Sequence, residues 1–426
     1  MALAILFGIF ALLLAAGVPV AFALAAASLA TILYLGLPPD VLIIETAAGT
    51  DSTTLIAIPL FIFAGQLMLR GGMSEKLIAF AATLVGHVRG GLGQVNVLSC
   101  LFFGGVSGSA IADVSAVGGS LIPQMAARGY DRDYAVNVTV SAALVALLVP
   151  PSHNLILYSA AAGGGISIAD LFAAGIVPAL LLMLAVMTSA YFVARRRGYA
   201  TAPFPGLWAV AVRFLAALPG LLLVFVIFGG IRAGIFTAVE SAAVAVLYAL
   251  AVTAALNRNL PFRELTAACA EAARTSGVIL FVICSAAAFG WLLAYLQVPA
   301  LAVEAIRAIA SDPLMVLLLI NVVLLVLGTF MDMAPLIIIT TPIFLPVAVA
   351  FGVNPVHFGT ILVLNAGIGL ITPPVGSVLF VGTAIGKIGM AETLRTIWPF
   401  YLAGLAVLVL VTYWPGISLW LPSVLR

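Results

Sequence analysis

Long apolar runs separated by short polar connections cover the whole chain. In the first half they lie at 3–16, 18–37, 54–69, 93–125, 134–162 and 169–194. In the second half they lie at 214–231, 235–256, 277–296, 314–350, 358–385 and 397–421. Because a helix needs roughly 20 apolar residues to cross a bilayer, this pattern predicts an all-α polytopic membrane protein.

Four of these runs are interrupted in the middle. The runs at 93–125 and 314–350 contain small residues or prolines near their centres, and those at 134–162 and 358–385 contain a Pro-Pro pair. Non-helical backbone at membrane depth must be buried in protein or line a wet cavity. We therefore predict a re-entrant helical hairpin at 93–125 and 314–350, and a broken helix at 134–162 and 358–385.

The two halves share landmarks in the same order, which predicts an internal repeat. The offset is about 220 residues, far longer than the period of a solenoid repeat. The paired landmarks are Gly17 with Gly234, Gly65 with Gly290, Ser107 with Thr329, Pro150 with Pro373, and Pro178 with Pro399. We expect the first repeat to span 1–198 and the second 199–426.

Basic residues indicate how the two repeats are oriented. If both hairpins enter and leave on one side, each half crosses the membrane an odd number of times and the second repeat is inverted. With the N-terminus outside, only Arg232, Arg307 and Arg426 of the 17 Lys and Arg residues lie outside, as the positive-inside rule requires. A single long tilted helix over 3–37 is the alternative, and it places the N-terminus inside.

Composition narrows the function classes. Hydrophobic residues make up 64% of the chain and charged residues only 8%, which excludes a water-soluble enzyme and a nucleic-acid binder. The three cysteines are far apart and have no metal-ligand spacing. We therefore expect no bound cofactor.

The first hairpin has the small residues Ser107–Ala110 at its midpoint. Half-helices that end there present free amides, which suit an anionic substrate group, and free carbonyls, which suit sodium. Hydroxyls add oxygen ligands, so Ser107, Gly108 and Ser109 are candidate substrate ligands and the two serines also candidate sodium ligands. A close helix-packing contact is the alternative for an isolated segment. The second tip favours the ion site, with Gly328 and Thr329 as its sodium candidates and Thr329 also as a substrate candidate.

The Pro-Pro pairs supply the other half of each predicted site. Proline lacks an amide donor and frees a carbonyl one turn earlier, so a pair unwinds the helix and leaves carbonyls to bind an ion. Each pair follows its hairpin tip at the same distance, about 43 residues, which is the arrangement expected of a midplane site. The candidate sodium ligands here are Pro150, Asn154, Thr372, Pro373 and Gly376, and Ser152 is a candidate substrate ligand. A mere kink is the alternative for either pair.

Two carboxylates follow the tips, Asp113 and Asp332. An ionisable residue within a membrane segment is a functional hypothesis by default. Either can neutralise a bound cation, with Asp332 also a sodium-ligand candidate, or carry a proton. Capping of a half-helix is the structural alternative. If either carboxylate carries a proton, the alternative function is that of a proton-coupled organic-anion transporter.

An intramembrane serine protease is a more remote alternative. Gly105–Gly108 matches the Gly-x-Ser-Gly pattern of rhomboid proteases, with Ser107 as nucleophile and His153 as base. A catalytic dyad gives no reason for the second tip at Thr329 or the second break at Pro373. The pattern therefore favours transport over proteolysis.

The motifs resemble the large permease subunit of the tripartite ATP-independent periplasmic (TRAP) transporters, DctM-like members of the ion transporter superfamily. The matching segments are Ile58–Gly65, Phe103–Asp113, Pro150–Ser152, Phe236–Glu240, Gly352–Gly359 and Ile371–Gly376. They run from near the start of the chain to near its end.

The resemblance implies a multi-pass secondary transporter in the bacterial inner membrane that works as an elevator. Family members couple the uptake of small organic anions, such as dicarboxylates or sialic acid, to sodium. They act with a small four-helix membrane subunit and a periplasmic substrate-binding protein. Carried over to this chain, one sodium lies between Ser107, Ser109 and the Pro150 break. The other lies between the Thr329 tip and the Pro373 break.

Overall fold

The computed structural model describes residues 1–256, 261–309 and 312–425. Throughout these ranges the regular structure is helical, without a strand, and the all-α prediction is confirmed. Arg426, which the charge argument places outside, lies beyond the described residues.

Eleven α-helices form the first half of the chain. They are α1 (Ala2–Ala15), α2 (Val20–Tyr34), α3 (Asp40–Ala48), α4 (Ala57–Arg70), α5 (Met73–Val85), α6 (Gly91–Ser107), α7 (Ala110–Asp113), α8 (Gly119–Ala127), α9 (Arg132–Ala143), α10 (His153–Ala161) and α11 (Ile168–Arg196). Short 3-10 turns occur at Thr53–Ile56 and Val145–Leu147, and a π-helical turn joins α7 to α8 at Val114–Gly118.

Eleven more α-helices are described in the second half. They are α12 (Leu207–Arg232), α13 (Ala238–Leu256), α14 (Phe262–Tyr295), α15 (Val298–Ile309), α16 (Pro313–Gly328), α17 (Met333–Ala350), α18 (Pro355–Leu370), α19 (Ser377–Gly386), α20 (Met390–Thr396), α21 (Trp398–Tyr413) and α22 (Gly416–Val424). Within the described ranges, six helices are long and apolar enough to cross a membrane, or up to nine spans if three bent pairs each count as one.

The chain reverses direction between α6 and α8. α6 ends at Ser107, and the next residue, Gly108, has a φ of +59°, a conformation that glycine adopts without steric penalty. Ser109 then caps α7 by accepting a hydrogen bond from the amide of Ala112. Since α8 contacts α6 again, residues 91–127 form a helical hairpin with its tip at Gly108 and Ser109.

Both Pro-Pro pairs interrupt helices. α9 continues through a 3-10 turn and stops before Pro150, and helix resumes at His153. α18 ends at Leu370, and helix resumes at Ser377 after Pro373. Prolines cannot donate the amide hydrogen bonds that a continuous helix needs, so an interruption at each pair follows from the sequence.

These broken helices lie at the centre of the molecule. In α9 every residue from Asp133 to Ala143 is buried, and in α18 every residue from His357 to Leu370. By contrast, only 22% of the apolar window of α12 is buried inside the chain. Bare apolar helix surface at the periphery is the surface expected to face lipid.

The first apolar run, 3–37, is two helices rather than one. α1 and α2 contact each other and are joined by a turn in which Gly17 has a φ of +79°. A single long tilted helix is therefore ruled out for this segment.

One boundary differs from the sequence prediction. The polar stretch before residue 277 reads as a connection, yet it is the first part of α14, a helix of 34 residues. Glu271 and Arg274 thus lie on a rigid helix that contacts α4 and α17. The charged residues of this segment suggested a loop, whereas packing of the segment against α4 and α17 stabilises it as a helix.

Candidate functional site

The first hairpin tip is held together by its own polar groups. The Ser107 hydroxyl donates a hydrogen bond to Oδ1 of Asp113. The amide of Ser109 donates to Oγ of Ser107 at 3.3 Å. The tip thus gathers two hydroxyls and a carboxylate within residues 107–113.

Asp113 is fully buried in this arrangement. Its second oxygen, Oδ2, has no hydrogen-bond partner among the described residues. Buried polar atoms are nearly always paired, and a buried unpaired charge costs several kcal/mol. Oδ2 is therefore available for a cation or a proton.

The first tip packs directly on the first Pro-Pro break. Asn154 donates through Nδ2 to the carbonyl oxygen of Gly108 at 3.1 Å. A Cβ added to Gly108 would lie 3.0 Å from the carbonyl oxygen of Pro151, and one added to Gly105 3.2 Å from that of Pro150. The structure thus brings the predicted tip residues and the predicted break residues together.

Ser152 belongs to the break but faces elsewhere. It is fully buried, and its hydroxyl donates to the carbonyl oxygen of Leu147 at 2.6 Å. This bond satisfies a carbonyl that the interrupted helix leaves free. Ser152 is not among the residues that line the cavity described below, and its role as a substrate ligand stays a prediction.

The second tip and the second break also meet. The amide of Val375 donates to the carbonyl oxygen of Thr329 at 3.1 Å. Gly328 and Gly369 touch through their backbones, because a Cβ on Gly369 would lie 2.7 Å from the Cα of Gly328. The predicted partners Gly328, Thr329 and Pro373 are therefore neighbours, as are their counterparts in the first half.

Hydroxyl protons at the second tip and break point to backbone carbonyls. Thr329 donates to Val326 and Thr372 to Ile368, each at 2.7 Å. The Thr372 hydroxyl also lies 2.7 Å from that of Tyr401. A hydroxyl that donates in this way keeps lone pairs for a cation.

Gly376 and Asp332 complete the second site. Gly376 has a φ of +51°, and a Cβ there would lie 3.0 Å from the carbonyl oxygen of Thr372. Asp332 precedes α17 and accepts a hydrogen bond from Ser377 at 3.2 Å. Unlike Asp113, it is exposed.

A cavity of about 520 Å³ extends from the first tip to Asp332 and the start of α17, and Gly328 and Thr329 of the second tip are not among its lining residues. It lies between α4 and α14 on one side and the first tip, α10 and the start of α17 on the other. Its polar lining residues are Gln66, Ser107, Ser109, Ser115, His153, Asn154, Glu271, Arg274, Thr275 and Asp332. A volume in this range suits a small organic molecule.

Comparison with known proteins agrees with this architecture. A family model described as tripartite ATP-independent periplasmic transporter, DctM component, matches residues 7–417.

The chain belongs to the DctM family. The resemblance found in the sequence is confirmed.

Two relatives illustrate the family. The C4-dicarboxylate TRAP transporter large permease protein DctM of Rhodobacter capsulatus is 34% identical, with 99% of each chain covered. The sialic acid TRAP transporter large permease protein SiaM of Vibrio cholerae is 37% identical, with 96% of each chain covered. Among solved structures, the YdaH transporter of Alcanivorax borkumensis has a TM-score of 0.63 and 16% identity, covering 91% of this chain and 89% of that one. At this identity the likeness shows the fold alone.

DctM proteins are transport components rather than enzymes, so the protease alternative is wrong. The geometry gives a reason. Ser107 and His153 both line the cavity, but the Ser107 hydroxyl donates to Asp113. A serine nucleophile instead needs its hydroxyl bonded to the base.

Sequence reasoning missed the groups that α4 and α14 bring to the cavity of this DctM protein: Gln66, Glu271 and Arg274. Glu271 and Arg274 are three positions apart in the sequence, so they lie on one face of α14. This spacing is the sequence feature from which a polar helix face could have been predicted, but the charged segment was interpreted as a connection instead.

Two kinds of ligand suit this arrangement. The tips and breaks present hydroxyl, carbonyl and carboxylate oxygens, the ligands of hard cations. Among the described residues no group of three or more His, Cys, Asp or Glu side chains is placed to hold a metal ion. Arg274 presents a fixed positive charge, which suits a carboxylate.

Proposed function

We propose that this chain is the permease subunit of a sodium-coupled secondary transporter that takes up small organic acids. The observation that carries the proposal is the cavity, since it places the oxygen-rich first hairpin tip and the Asp332 carboxylate opposite an arginine on α14. The relatives described above are named for C4-dicarboxylate and sialic acid, which are both anionic carboxylates.

The two sodium ions are assigned to the tip–break contacts. The first lies among Ser107, Ser109, the Pro150 break and Asn154, with the unpaired oxygen of Asp113 as its counter-charge. The second lies among Gly328, Thr329, Thr372, Pro373 and Gly376, with Asp332 nearby. In both places, the oxygen atoms come from a hairpin tip and a Pro-Pro break, two segments that lie about 43 residues apart in the sequence.

The substrate lies in the cavity between these ions. Ser107, Ser109 and the backbone around Gly108 lie on the side of the tip, and Arg274 faces them from α14. Sodium bound at the tip adds positive charge beside the anion, so each ligand favours binding of the other. Such a mutual increase in affinity between sodium and the substrate is what thermodynamic coupling of the two requires.

Movement and assembly complete the proposal. Residues 1–198 and 199–426 act as inverted repeats, and the hairpins with the broken helices move as an elevator relative to the other helices. The family description is tripartite and periplasmic. We therefore assign the chain to the bacterial inner membrane, with a small four-helix membrane subunit and a periplasmic substrate-binding protein as partners.

Thermal unfolding in different salts tests the sodium sites without a known substrate. A ligand at 100 times its dissociation constant stabilises a protein by about 2.7 kcal/mol. We expect sodium chloride, compared with potassium and choline chloride at equal ionic strength, to raise the melting temperature of the detergent-purified chain. Ser107→Ala and Thr329→Ala should each lose at least half of this shift.

The matched control is Thr266→Ala. Thr266 is exposed and donates to a carbonyl three residues earlier, as Thr329 does, but it belongs to neither a hairpin tip nor a Pro-Pro break. Its sodium shift should equal that of the wild type. Equal shifts in all three salts would contradict the sodium assignment and favour proton coupling through Asp113 or Asp332.

Uptake kinetics test the anion site. We expect Arg274→Gln to raise KM for a carboxylate substrate at least tenfold, because a hydrogen bond to a charged group contributes about 1.5–3 kcal/mol. The sodium-induced melting shift should persist in this variant. Arg263→Gln, an exposed arginine on the same helix outside the cavity, is the control and should leave KM unchanged. An unchanged KM in Arg274→Gln would remove Arg274 from the site.

A further inference from the structure

A second cavity, of about 890 Å³, lies apart from the transport site. It is enclosed by the end of α5, the turn between α8 and α9, the end of α11 and the linker at residues 198–205. The side chains that bear on its chemistry are His87, Arg128, Tyr130, Arg197, Tyr199 and Arg213. The proposed transport function uses none of these residues.

The charge in this cavity is unevenly balanced. Asp131 is the one carboxylate among its lining residues, and it accepts hydrogen bonds from Arg197 at 2.9 Å and from Tyr199 at 2.7 Å. Arg197 also binds both oxygens of Asp133, at 2.8 and 2.7 Å. Its charge is therefore balanced within the protein.

Arg128 and Arg213 remain uncompensated. Both are exposed to the cavity and its mouth, and neither has an ion-pair partner in the part of the chain that the structure describes. Three guanidinium groups against the carboxylates of Asp131 and Asp133 leave one net positive charge around the cavity. A pair such as Arg128 and Arg213 favours an anion with several oxygens, and phosphate geometry matches the guanidinium fork.

Neutral hydrogen-bonding groups add to this preference. Nδ1 of His87 is buried and has no hydrogen-bond partner among the described residues. The ring of His87 is held edge-on against Phe204 of the linker, with centroids 5.1 Å apart. Burial, followed by its hydrogen bond to Asp131, raises the pKa of Tyr199 to about 12. Tyr199 thus remains protonated at neutral pH and keeps its hydrogen bond to Asp131.

The surroundings indicate where the anion comes from. Arg213 lies in the second turn of α12, and the first turn exposes Leu207 and Trp208 by 80% and 82%. Further along, Leu215 and Phe225 are also exposed. An apolar surface that begins with a tryptophan is typical of a helix entering the lipid interface. The cavity therefore opens beside lipid headgroups.

We propose that this cavity binds the phosphate group of an anionic phospholipid through Arg128 and Arg213. Basic pockets between membrane helices recognise lipid headgroups in this way. Since the linker at 198–205 forms one wall, a bound headgroup would bridge α5 and the α8–α9 turn to the connection between the two halves of the chain.

Native mass spectrometry of the detergent-purified full chain tests this proposal. Phosphatidylglycerol and phosphatidylcholine are offered at equal concentration. We expect the wild type to retain phosphatidylglycerol at least tenfold more strongly. The double variant Arg128→Gln/Arg213→Gln should lose this preference while its melting temperature in phosphatidylcholine stays unchanged, because both side chains are exposed.

The control removes the same charge from a neighbouring surface. Arg195 and Arg196 are exposed, have no ion-pair partner in the described part of the chain and do not line the cavity. Arg195→Gln/Arg196→Gln should keep the preference for phosphatidylglycerol. Retained selectivity in the cavity variant, or equal loss in both variants, would overturn the proposal.

A third arm separates a lipid from a soluble anion. Inorganic phosphate at the same concentration should raise the melting temperature of the wild type by less than half the shift that phosphatidylglycerol gives. An equal shift that disappears in Arg128→Gln/Arg213→Gln would overturn the lipid assignment and identify a soluble phosphate site. The sodium and uptake experiments above are independent of either outcome.

Discussion

Asp113→Asn is expected to reduce sodium-driven uptake at least a hundredfold. The carboxylate is fully buried, and one of its oxygens has no partner among the described residues. Asparagine has nearly the same shape and keeps an oxygen to accept the Ser107 hydrogen bond, so the tip retains its geometry. What disappears is the negative charge that offsets the desolvation of a bound cation.

The measurement is uptake into proteoliposomes that contain the permease with its partners, under a sodium gradient at constant pH. Asp332→Asn is the informative comparison, because that carboxylate follows the other tip but is exposed. It should lower uptake much less, since water already screens its charge. Normal sodium-driven uptake in Asp113→Asn would exclude a counter-charge role, and loss confined to pH-driven uptake would support the proton-coupled alternative.

Gly369→Ala should reduce uptake about a hundredfold for a steric reason. The added Cβ would lie 2.7 Å from the Cα and 2.8 Å from the carbonyl carbon of Gly328. Both neighbours are backbone atoms, so no side-chain rotation relieves the contact and the second tip must move away from the second break. A displacement of about 1 Å is enough to lower activity by a factor on the order of 100.

Uptake and melting temperature should be measured together for this variant. Overpacking costs about 1–3 kcal/mol, so the variant should fold with a lower melting temperature while its sodium-induced shift becomes smaller. The control is Gly290→Ala, near the C-terminal end of α14, where nothing lies within 4 Å of the added methyl group. It should be neutral or slightly stabilising, because alanine favours a helix by about 1 kcal/mol over glycine. Wild-type uptake in Gly369→Ala would show that the close contact has no role in the site.

Much of the scaffold follows from local chemistry. The two Pro-Pro pairs interrupt helices because proline lacks an amide donor, and the tip at Gly108 turns because glycine and a capping serine permit it. The pairing of each tip with its break was also predictable, since similar spacing in both halves suggested it. These features depend on residues within one segment or on a repeated pattern.

The cavity itself was harder to predict. Arg274 belongs to a charged stretch that reads as a connection, and only the packing of α14 against α4 and α17 turns it toward the tips. Ser152 stays a predicted substrate ligand, and its hydroxyl donates to the carbonyl oxygen of Leu147, five residues earlier in the interrupted helix. The direction of the Arg274 side chain, by contrast, depends on neighbours that are distant in sequence.

The length of α14 has a consequence for how voltage acts on transport. From Thr275 to Tyr295 the helix has no charged residue, and at 1.5 Å per residue this part is about 30 Å long. That length equals the thickness of the hydrocarbon core, so Arg274 lies at its boundary. In the topology with the N-terminus outside, this boundary is the cytoplasmic one, so an anion taken up from outside would cross most of the transmembrane electric field before it reached Arg274. The membrane potential, about 2.3 kcal/mol per charge per 100 mV, would thus oppose delivery of the anion, and each sodium ion that moves with it would offset that cost.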